Sequence, residues 1–201
     1  MRRGVGLVLG IAAAIAAGSA GAANEFDHCL LCHGANGNGN LAIRAPKVSG
    51  MEPWYLARQL ENFASGIRGM PADDVAGHEM GPVGMRLRQE GMLDTAVQFV
   101  GSLDPKHPAP TVMGDAIHGR KLYANCASCH GAKGEGNQTL QAPALAARSD
   151  WYLVTQLTNY QKGLRGADER DTYGAQMRGI VATLADEKAI ADVVAYINTL
   201  R

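Results

Sequence analysis

The chain has 201 residues, of which 46% are hydrophobic and 5% aromatic, and its 19 Lys and Arg residues balance 19 Asp and Glu residues. This composition is typical of one or two small globular domains and excludes a fibrous or disordered protein. The balanced charge offers no basic surface for a polyanion, so a nucleic-acid-binding function is excluded as well.

Residues 1–23 have the pattern of a secretory signal peptide, in which two arginines precede the apolar run GVGLVLGIAAAIAAG and the small residues SAGAA. The run is shorter than the ~20 residues that a membrane-spanning helix needs. We therefore expect export and cleavage near Ala22 or Ala23. A retained leader that anchors the protein to a membrane is the alternative.

The first motif after this leader is DHCLLCHGANGNGN, residues 27–40. It places Cys29, Cys32 and His33 within five positions, at the edge of a loop rich in glycine and asparagine. Glycines allow a backbone to turn tightly beside a flat cofactor. The motif therefore indicates a cofactor site.

Helical periodicity follows this motif. Leu56, Leu60 and Phe63 share one face of a predicted helix that begins at Pro53, a residue favoured in a first helical turn. Apolar residues in the segment 93–103 have the same spacing. Alternating strand patterns are absent, so the sequence predicts an all-α fold of a few helices joined by long glycine-rich loops.

Residues 104–113, DPKHPAPTVM, contain three prolines and predict an extended linker. Beyond the linker the first half recurs at a constant separation of 97 positions without a gap. The matched pairs include His33 and His130, Pro46 and Pro143, Trp54 and Trp151, Gln59 and Gln156, and Arg68 and Arg165. We interpret the mature chain as two copies of one domain, residues 24–103 and 114–201.

Three chemistries compete for the cysteine pairs Cys29 and Cys32, and Cys126 and Cys129. A structural zinc site usually takes its cysteine pairs from one small domain, whereas these pairs lie 97 positions apart. A redox disulfide needs a strand and helix context that a helical repeat lacks. Covalent haem c remains, because Cys-x-x-Cys-His attaches the haem through both thiols and offers the imidazole to iron.

The second axial ligand decides the function, and a methionine in this position is typical of electron carriers. After His130 the second copy contains one methionine, Met177, which lies 47 positions beyond that histidine. Met80 lies 47 positions beyond His33, so we predict His33 with Met80 and His130 with Met177 as iron ligands.

His78 is the rival ligand in the first copy. Its counterpart is Ala175, and a surface position is the favoured interpretation. Met70, Met85 and Met92 have no methionine counterpart and are interpreted as packing against the haem edge.

The two Cys-x-x-Cys-His sites, each followed by a proline, a WYL..QL helix and a distal methionine, resemble the tandem dihaem class I cytochromes c of the cytochrome c4 family. The resemblance covers nearly the whole mature chain. It implies two haems with His/Met ligation and electron transfer in the periplasm. The implied partners are a quinol-oxidising complex, a terminal oxidase or a reductase.

The resemblance also implies roles for residues near each haem. The carbonyls of Pro46 and Pro143 would orient the proximal histidines. Arg68 and Arg165, or the paired tryptophans, would contact haem propionates; solvated charge and an aromatic core are the alternatives.

One departure concerns the start of each copy. The second copy has a leading helix, GDAIHGRKLYANC, whose Tyr123 can meet the closing helix at Tyr196, whereas only NEFDH separates the expected cleavage site from Cys29. Phe26 and Phe99 replace the two tyrosines in the first copy. A partner or a retained leader would complete this shortened domain.

Three functions stay open: a free carrier, a fixed cytochrome subunit of a larger oxidase or oxidoreductase complex, and a dihaem enzyme such as a peroxidase or thiosulfate dehydrogenase. The paired methionines favour a carrier over an enzyme, since an enzyme needs an open haem. Peripheral membrane association and the oligomeric state stay undetermined by the sequence.

Overall fold

A computed structural model describes residues 25–200, so the predicted signal peptide, residues 1–23, lies outside the described part of the chain. Regular structure within it is helical, apart from two isolated β-bridges. The α-helices are α1 (Asp27–His33), α2 (Pro53–Ala64), α3 (Val75–Gln89), α4 (Leu93–Gly101), α5 (Ala116–His130), α6 (Asp150–Gln161), α7 (Thr172–Val181) and α8 (Glu187–Ile197). The prediction of an all-α fold is confirmed. No helix of residues 25–200 has the length and apolarity needed to cross a bilayer.

The hydrophobic cores follow the predicted helical faces. Leu56, Leu60 and Phe63 are buried on α2, and Leu153 and Tyr160 are buried at the equivalent positions of α6. Each copy has its own core cluster, and the closing helix of each copy, α4 or α8, contributes to it. The fully buried Ile190, Val193 and Val194 place α8 at the centre of the second cluster.

Aspartate side chains fix where α3 and α7 begin. Asp74 accepts a hydrogen bond from Gly77 N at the start of α3, and Asp171 accepts one from Gly174 N at the start of α7. Each carboxylate satisfies a backbone donor of a first helical turn. These two helices carry Met80 and Met177, so equivalent caps set the position of both methionines.

The leading helix α5 of the second copy crosses the closing helix α8, as the sequence predicts. At the crossing, Gly119 lies so close to the carbonyl of Asp192 that no side chain would fit. Four residues later, the rings of Tyr123 and Tyr196 pack with centroids 5.3 Å apart. A residue without a side chain therefore lets the two helices approach closely.

The first copy has a shorter equivalent of this pair within the described residues. Its α1 begins at Asp27, and Phe26 stacks on Phe99 with ring centroids 5.6 Å apart. Phe26 is 2% exposed, so its ring closes this end of the core. Thr95 on α4, the counterpart of the buried Asp192, is exposed and polar. The face of α4 at this position is therefore compatible with solvent.

Asp150 ties the linker to the second copy. Its carboxylate accepts hydrogen bonds from the backbone N–H groups of Thr111 and Val112 at 2.6 and 2.8 Å, and from the Asn198 amide at 3.0 Å. Burial alone would raise the pKa of this carboxyl, but these donors stabilise the ionised form and hold the pKa below its usual range. The end of the linker is thereby fixed to α6.

Candidate functional site

The two cysteine motifs occupy the last turn of a helix in each copy. In each pair the first cysteine, Cys29 or Cys126, is half-buried, the second is exposed, and all four thiols are unpaired. Burial raises the pKa of the Cys126 thiol to about 11, so this group is protonated at neutral pH as long as no cofactor is attached to it. Within residues 25–200, no cluster of three or more His, Cys, Asp and Glu side chains could hold a metal ion.

A proline carbonyl orients each histidine of the motifs. His33 Nδ1 lies 2.7 Å from Pro46 O, and His130 Nδ1 lies 2.7 Å from Pro143 O. Because a carbonyl only accepts, Nδ1 carries the proton and donates it, which leaves Nε2 with a free lone pair. Burial lowers the pKa of both imidazoles, partly opposed by these bonds. Each ring is therefore neutral and oriented, with the Nε2 lone pair available to a metal ion.

Glycines permit the approach of each loop to its proline. Gly39 and Gly136 have φ values of 93° and 83°, in the left-handed region that favours glycine. A Cβ on Gly136 would lie 2.6 Å from Ala144 N and 2.9 Å from Pro143 C. The glycine-rich loops thus bring the proline peptide against the histidine turn.

The structure places Met177 opposite His130, where its Sδ lies 3.5 Å from His130 Nε2. In the first copy Met80 is half-buried and packs against the same hydrophobic cluster as Cys29. Met177 and Cys126 pack against the second cluster in the same way. Both predicted methionine ligands therefore lie on equivalent helices beside equivalent cysteines.

The other candidates in the first copy lie elsewhere. His78 is exposed, and its Nδ1 lies 3.1 Å from Gly69 O. Among the atoms of the chain, Met70 and Met85 are 64% and 44% exposed, so they do not belong to the hydrophobic core, and their packing against a haem edge stays a prediction. Met92 alone of these methionines packs against the core cluster.

A cavity in the second copy joins the motif residues to the first copy. It is lined by Cys126, Cys129, His130 and Met177, and on the side of the first copy by Tyr55 and Arg58. Two thiols, a neutral imidazole and a thioether sulfur converge there, which is the donor set of a covalently attached haem c with both axial positions filled. The residues present therefore fit the group that the sequence predicts.

The two copies meet at a buried square of two arginines and two glutamines. Gln59 Oε1 accepts from Arg68 at 2.8 Å and from Arg165 at 2.9 Å, and Gln156 Oε1 accepts from Arg165 at 2.8 Å and from Arg68 at 3.0 Å. Each arginine also donates across the interface to a tyrosine hydroxyl, Arg68 to that of Tyr152 and Arg165 to that of Tyr55. Every contact has its counterpart 97 positions away.

The arginines of this square are buried cations with neutral partners. Arg68 and Arg165 are each 6% exposed, so the alternative that they are solvated surface charges is wrong. The Nε atom of each is buried without a hydrogen-bond acceptor among the described residues. Burial alone would raise the pKa of the Tyr55 hydroxyl, but the guanidinium groups of Arg165 and Arg68 lower it. The interface is thus suited to an anionic group.

Sequence reasoning did not identify the contacts between the copies. Arg58 donates to the side chain and backbone of Gln141 and stacks over Tyr173, with its Cζ 4.7 Å from the ring centroid. Arg148 Nη2 donates to Gly50 O. The one available signal was the recurrence of Gln59 and Gln156 beside the apolar residues of α2 and α6.

Comparison with known proteins is consistent with this geometry. The family model "Cytochrome c" matches residues 116–201. Cytochrome c4 of Thiocapsa roseopersicina is 32% identical over 191 residues, which cover 90% of this chain and 91% of the relative. A thiosulfate dehydrogenase electron acceptor of Stutzerimonas stutzeri strain A1501 is 28% identical and covers 85% of this chain and 79% of its own length. The crystal structure of reduced cytochrome c4 from Pseudomonas stutzeri has a TM-score of 0.64 at 26% identity and covers 88% of this chain and 95% of its own.

Proposed function

The chain belongs to the cytochrome c4 family and carries two covalent haem c groups, and we propose that it transfers electrons between respiratory redox proteins in the periplasm. The observation that carries this proposal is the position of Met177 Sδ opposite His130 Nε2. A thioether in that place could bind haem iron together with the imidazole, and a haem with both positions taken by protein would favour electron transfer over chemistry on a bound substrate. The haem iron supplies the redox chemistry, gaining and losing one electron at each site.

Four residues of each copy hold the cofactor in this proposal. Cys29 and Cys32, or Cys126 and Cys129, would hold the haem through thioether bonds, and His33 or His130 would offer Nε2 to the iron. Met80 or Met177 would offer a thioether sulfur. Because each imidazole is fixed through its Nδ1–H, it keeps its orientation in both oxidation states. Little rearrangement between the states is the property that a carrier needs.

The interface arginines are suited to the propionate groups of haem. The buried Nε–H groups of Arg68 and Arg165 have no acceptor among residues 25–200, and a propionate carboxylate would provide one together with the missing negative charge. Both arginines bridge the copies through the glutamines. The same contacts would therefore hold the two haem sites in a fixed relation, so that an electron can pass from one to the other.

We propose the periplasm as the location because the leader predicts export and haem c attachment takes place outside the cytoplasm. A quinol-oxidising complex is the proposed type of donor, and a terminal oxidase or reductase the proposed acceptor. The similarity to a thiosulfate dehydrogenase electron acceptor supports a second type of donor, a periplasmic dehydrogenase. Fixed attachment to a larger complex is the alternative arrangement.

Cell fractionation followed by rapid mixing tests the proposal. We expect the holoprotein in the fraction released by osmotic shock, with a mature N-terminus near Ala22 or Ala23. The reduced protein should be reoxidised by aerobic membranes of the source cell, and cyanide should abolish this if a terminal oxidase is the acceptor. Retention with a membrane complex through salt washing would favour the fixed subunit. Failure of membranes or added thiosulfate dehydrogenase to exchange electrons with it would contradict the carrier function.

A further inference from the structure

Glu52 of the first copy contacts the loop that orients the histidine of the second copy. Its Oε1 accepts a hydrogen bond from Ala144 N at 2.6 Å. Glu52 is half-buried and precedes α2, yet its side chain makes no capping bond to that helix. The carboxylate is therefore directed across the interface. A hydrogen bond from a backbone N–H to an ionised carboxylate in such a place is short and strong.

The Ala144 N–H belongs to the same amide group as the Pro143 carbonyl. That carbonyl accepts from His130 Nδ1 at 2.7 Å. Glu52, the Pro143–Ala144 amide and His130 therefore form a continuous chain of two hydrogen bonds. Consecutive hydrogen bonds polarise each other, so a negative charge on the N–H side makes the carbonyl a stronger acceptor. A stronger acceptor gives the imidazole more anionic character.

The equivalent peptide of the first copy has a different environment. Ser149 occupies the position of Glu52 in the repeat and carries no charge. Lys47 occupies the position of Ala144, is 3% exposed, and donates from Nζ to Ala147 O at 3.3 Å. A cationic side chain thus follows Pro46, whereas a carboxylate contacts the amide after Pro143. The hydrogen bonds from the two histidines to their proline carbonyls are equally long, but the charged side chains beside the two proline peptides differ in sign.

We propose that Glu52 is a positioning residue that lowers the reduction potential of the second haem through the Pro143–Ala144 amide and His130. A more electron-rich imidazole stabilises the higher oxidation state of the iron it binds. The inference rests on the proposed ligation by His130. Glu52, a residue of the first copy, thereby makes the second haem harder to reduce than the ligands of that haem alone would.

Two substitutions separate the hydrogen bond from the charge. Glu52→Gln keeps an acceptor for the Ala144 N–H and removes the charge, whereas Glu52→Ala removes both. We expect the reduced-to-oxidised ratio of the second haem at a fixed ambient potential to rise about threefold in Glu52→Ala, equivalent to about 28 mV at 59 mV per tenfold. Glu52→Gln should give a smaller rise. The ratio for the first haem should not change in either variant.

The readout is a redox titration of the holoprotein followed by NMR, in which each haem is identified by its own methyl resonances. In the same spectra, the Nδ1–H resonance of His130 should shift in both variants, and that of His33 should not. Glu61→Gln is the control, since it removes an exposed carboxylate on α2, the helix that Glu52 precedes. In the unmodified protein this carboxylate pairs with Arg88. It should change neither haem.

Equal shifts in Glu52→Gln and Glu52→Ala without movement of the His130 signal would overturn the inference, because the effect would then be one of charge at a distance. Unchanged potentials in Glu52→Ala would overturn it as well. Failure of the underlying ligation gives a different result, since the unmodified protein would then lack a His130 ring signal shifted by the second haem.

Discussion

Substitution of Gln156 by leucine removes one corner of the buried Arg–Gln square at little change in volume. Gln156 is 8% exposed, and its Oε1 is the acceptor for Arg165 Nη1 at 2.8 Å and for Arg68 Nη2 at 3.0 Å. After the substitution, Arg68 Nη2 keeps the hydroxyl of Tyr152 as a second acceptor. Arg165 Nη1 would lose its side-chain acceptor while it stays buried.

The cost follows from these contacts. A buried charged donor without an acceptor costs about 2 kcal/mol, and the weakened second bond adds about 1 kcal/mol. We therefore expect Gln156→Leu to lower the free energy of unfolding of the holoprotein by about 3 kcal/mol. For a chain of this size the melting temperature should fall by about 6–12 °C. Gln59→Leu should cost the same, because Gln59 holds the equivalent corner.

Guanidinium denaturation of the purified holoproteins measures this difference, and Gln98→Leu on the exposed face of α4 is the matched control, with an expected change below about 0.5 kcal/mol. A loss of unfolding free energy below about 1 kcal/mol in both Gln59→Leu and Gln156→Leu would contradict this role of the glutamines. It would mean that the arginines find other acceptors at no cost.

Three further predictions concern single residues. Asp150→Asn should lower the free energy of unfolding by about 3 kcal/mol at pH 7, because the acceptor loses its charge and an NH2 group replaces one of its two oxygens. Since folding lowers the pKa of Asp150, urea titrations should show the difference above the unfolded pKa of about 3.9 and its loss as the pH falls through the folded value. Gly136→Ala should lower the free energy of unfolding by about 2–4 kcal/mol in urea titrations, because φ is 83° at this position and the added Cβ would lie 2.6 Å from a backbone nitrogen. A variant as stable as the wild type would contradict this. Met177→Ala should let carbon monoxide bind one haem per reduced chain, whereas the exposed Met70→Ala should bind none; equal spectra would contradict the assignment of Met177.

The elements that depend on local pattern could be predicted from the sequence. The apolar spacing on α2 and α8 fixes which face is buried, and the gapless repeat shows that both halves share one fold. Cys-x-x-Cys-His is a strong signal because attachment and ligation need these residues within one helical turn. The repeat then selects Met80 and Met177 among the methionines.

Contacts between the copies could not be predicted in the same way. The hydrophobic pattern of α2 and α6 says which face is buried, but Arg68 and Arg165 lie beyond the ends of these helices. For them the sequence made solvation as reasonable as burial. Only the relative position of the two copies brings Gln59 and Gln156 between the arginines. Glu52 gave no signal, because its counterpart Ser149 breaks the repeat. An exception to a repeat can thus mark a residue with a separate role.

In the proposed carrier both haems keep a histidine and a methionine as axial ligands, and the chain therefore transfers electrons. The decisive test of this ligation is the carbon monoxide difference spectrum of the dithionite-reduced holoprotein, with the haems counted as their pyridine complexes. We predict two covalent haems per chain and almost no carbon monoxide binding. Substantial binding at either haem would contradict the assignment of Met80 or Met177 there and would favour a dihaem enzyme.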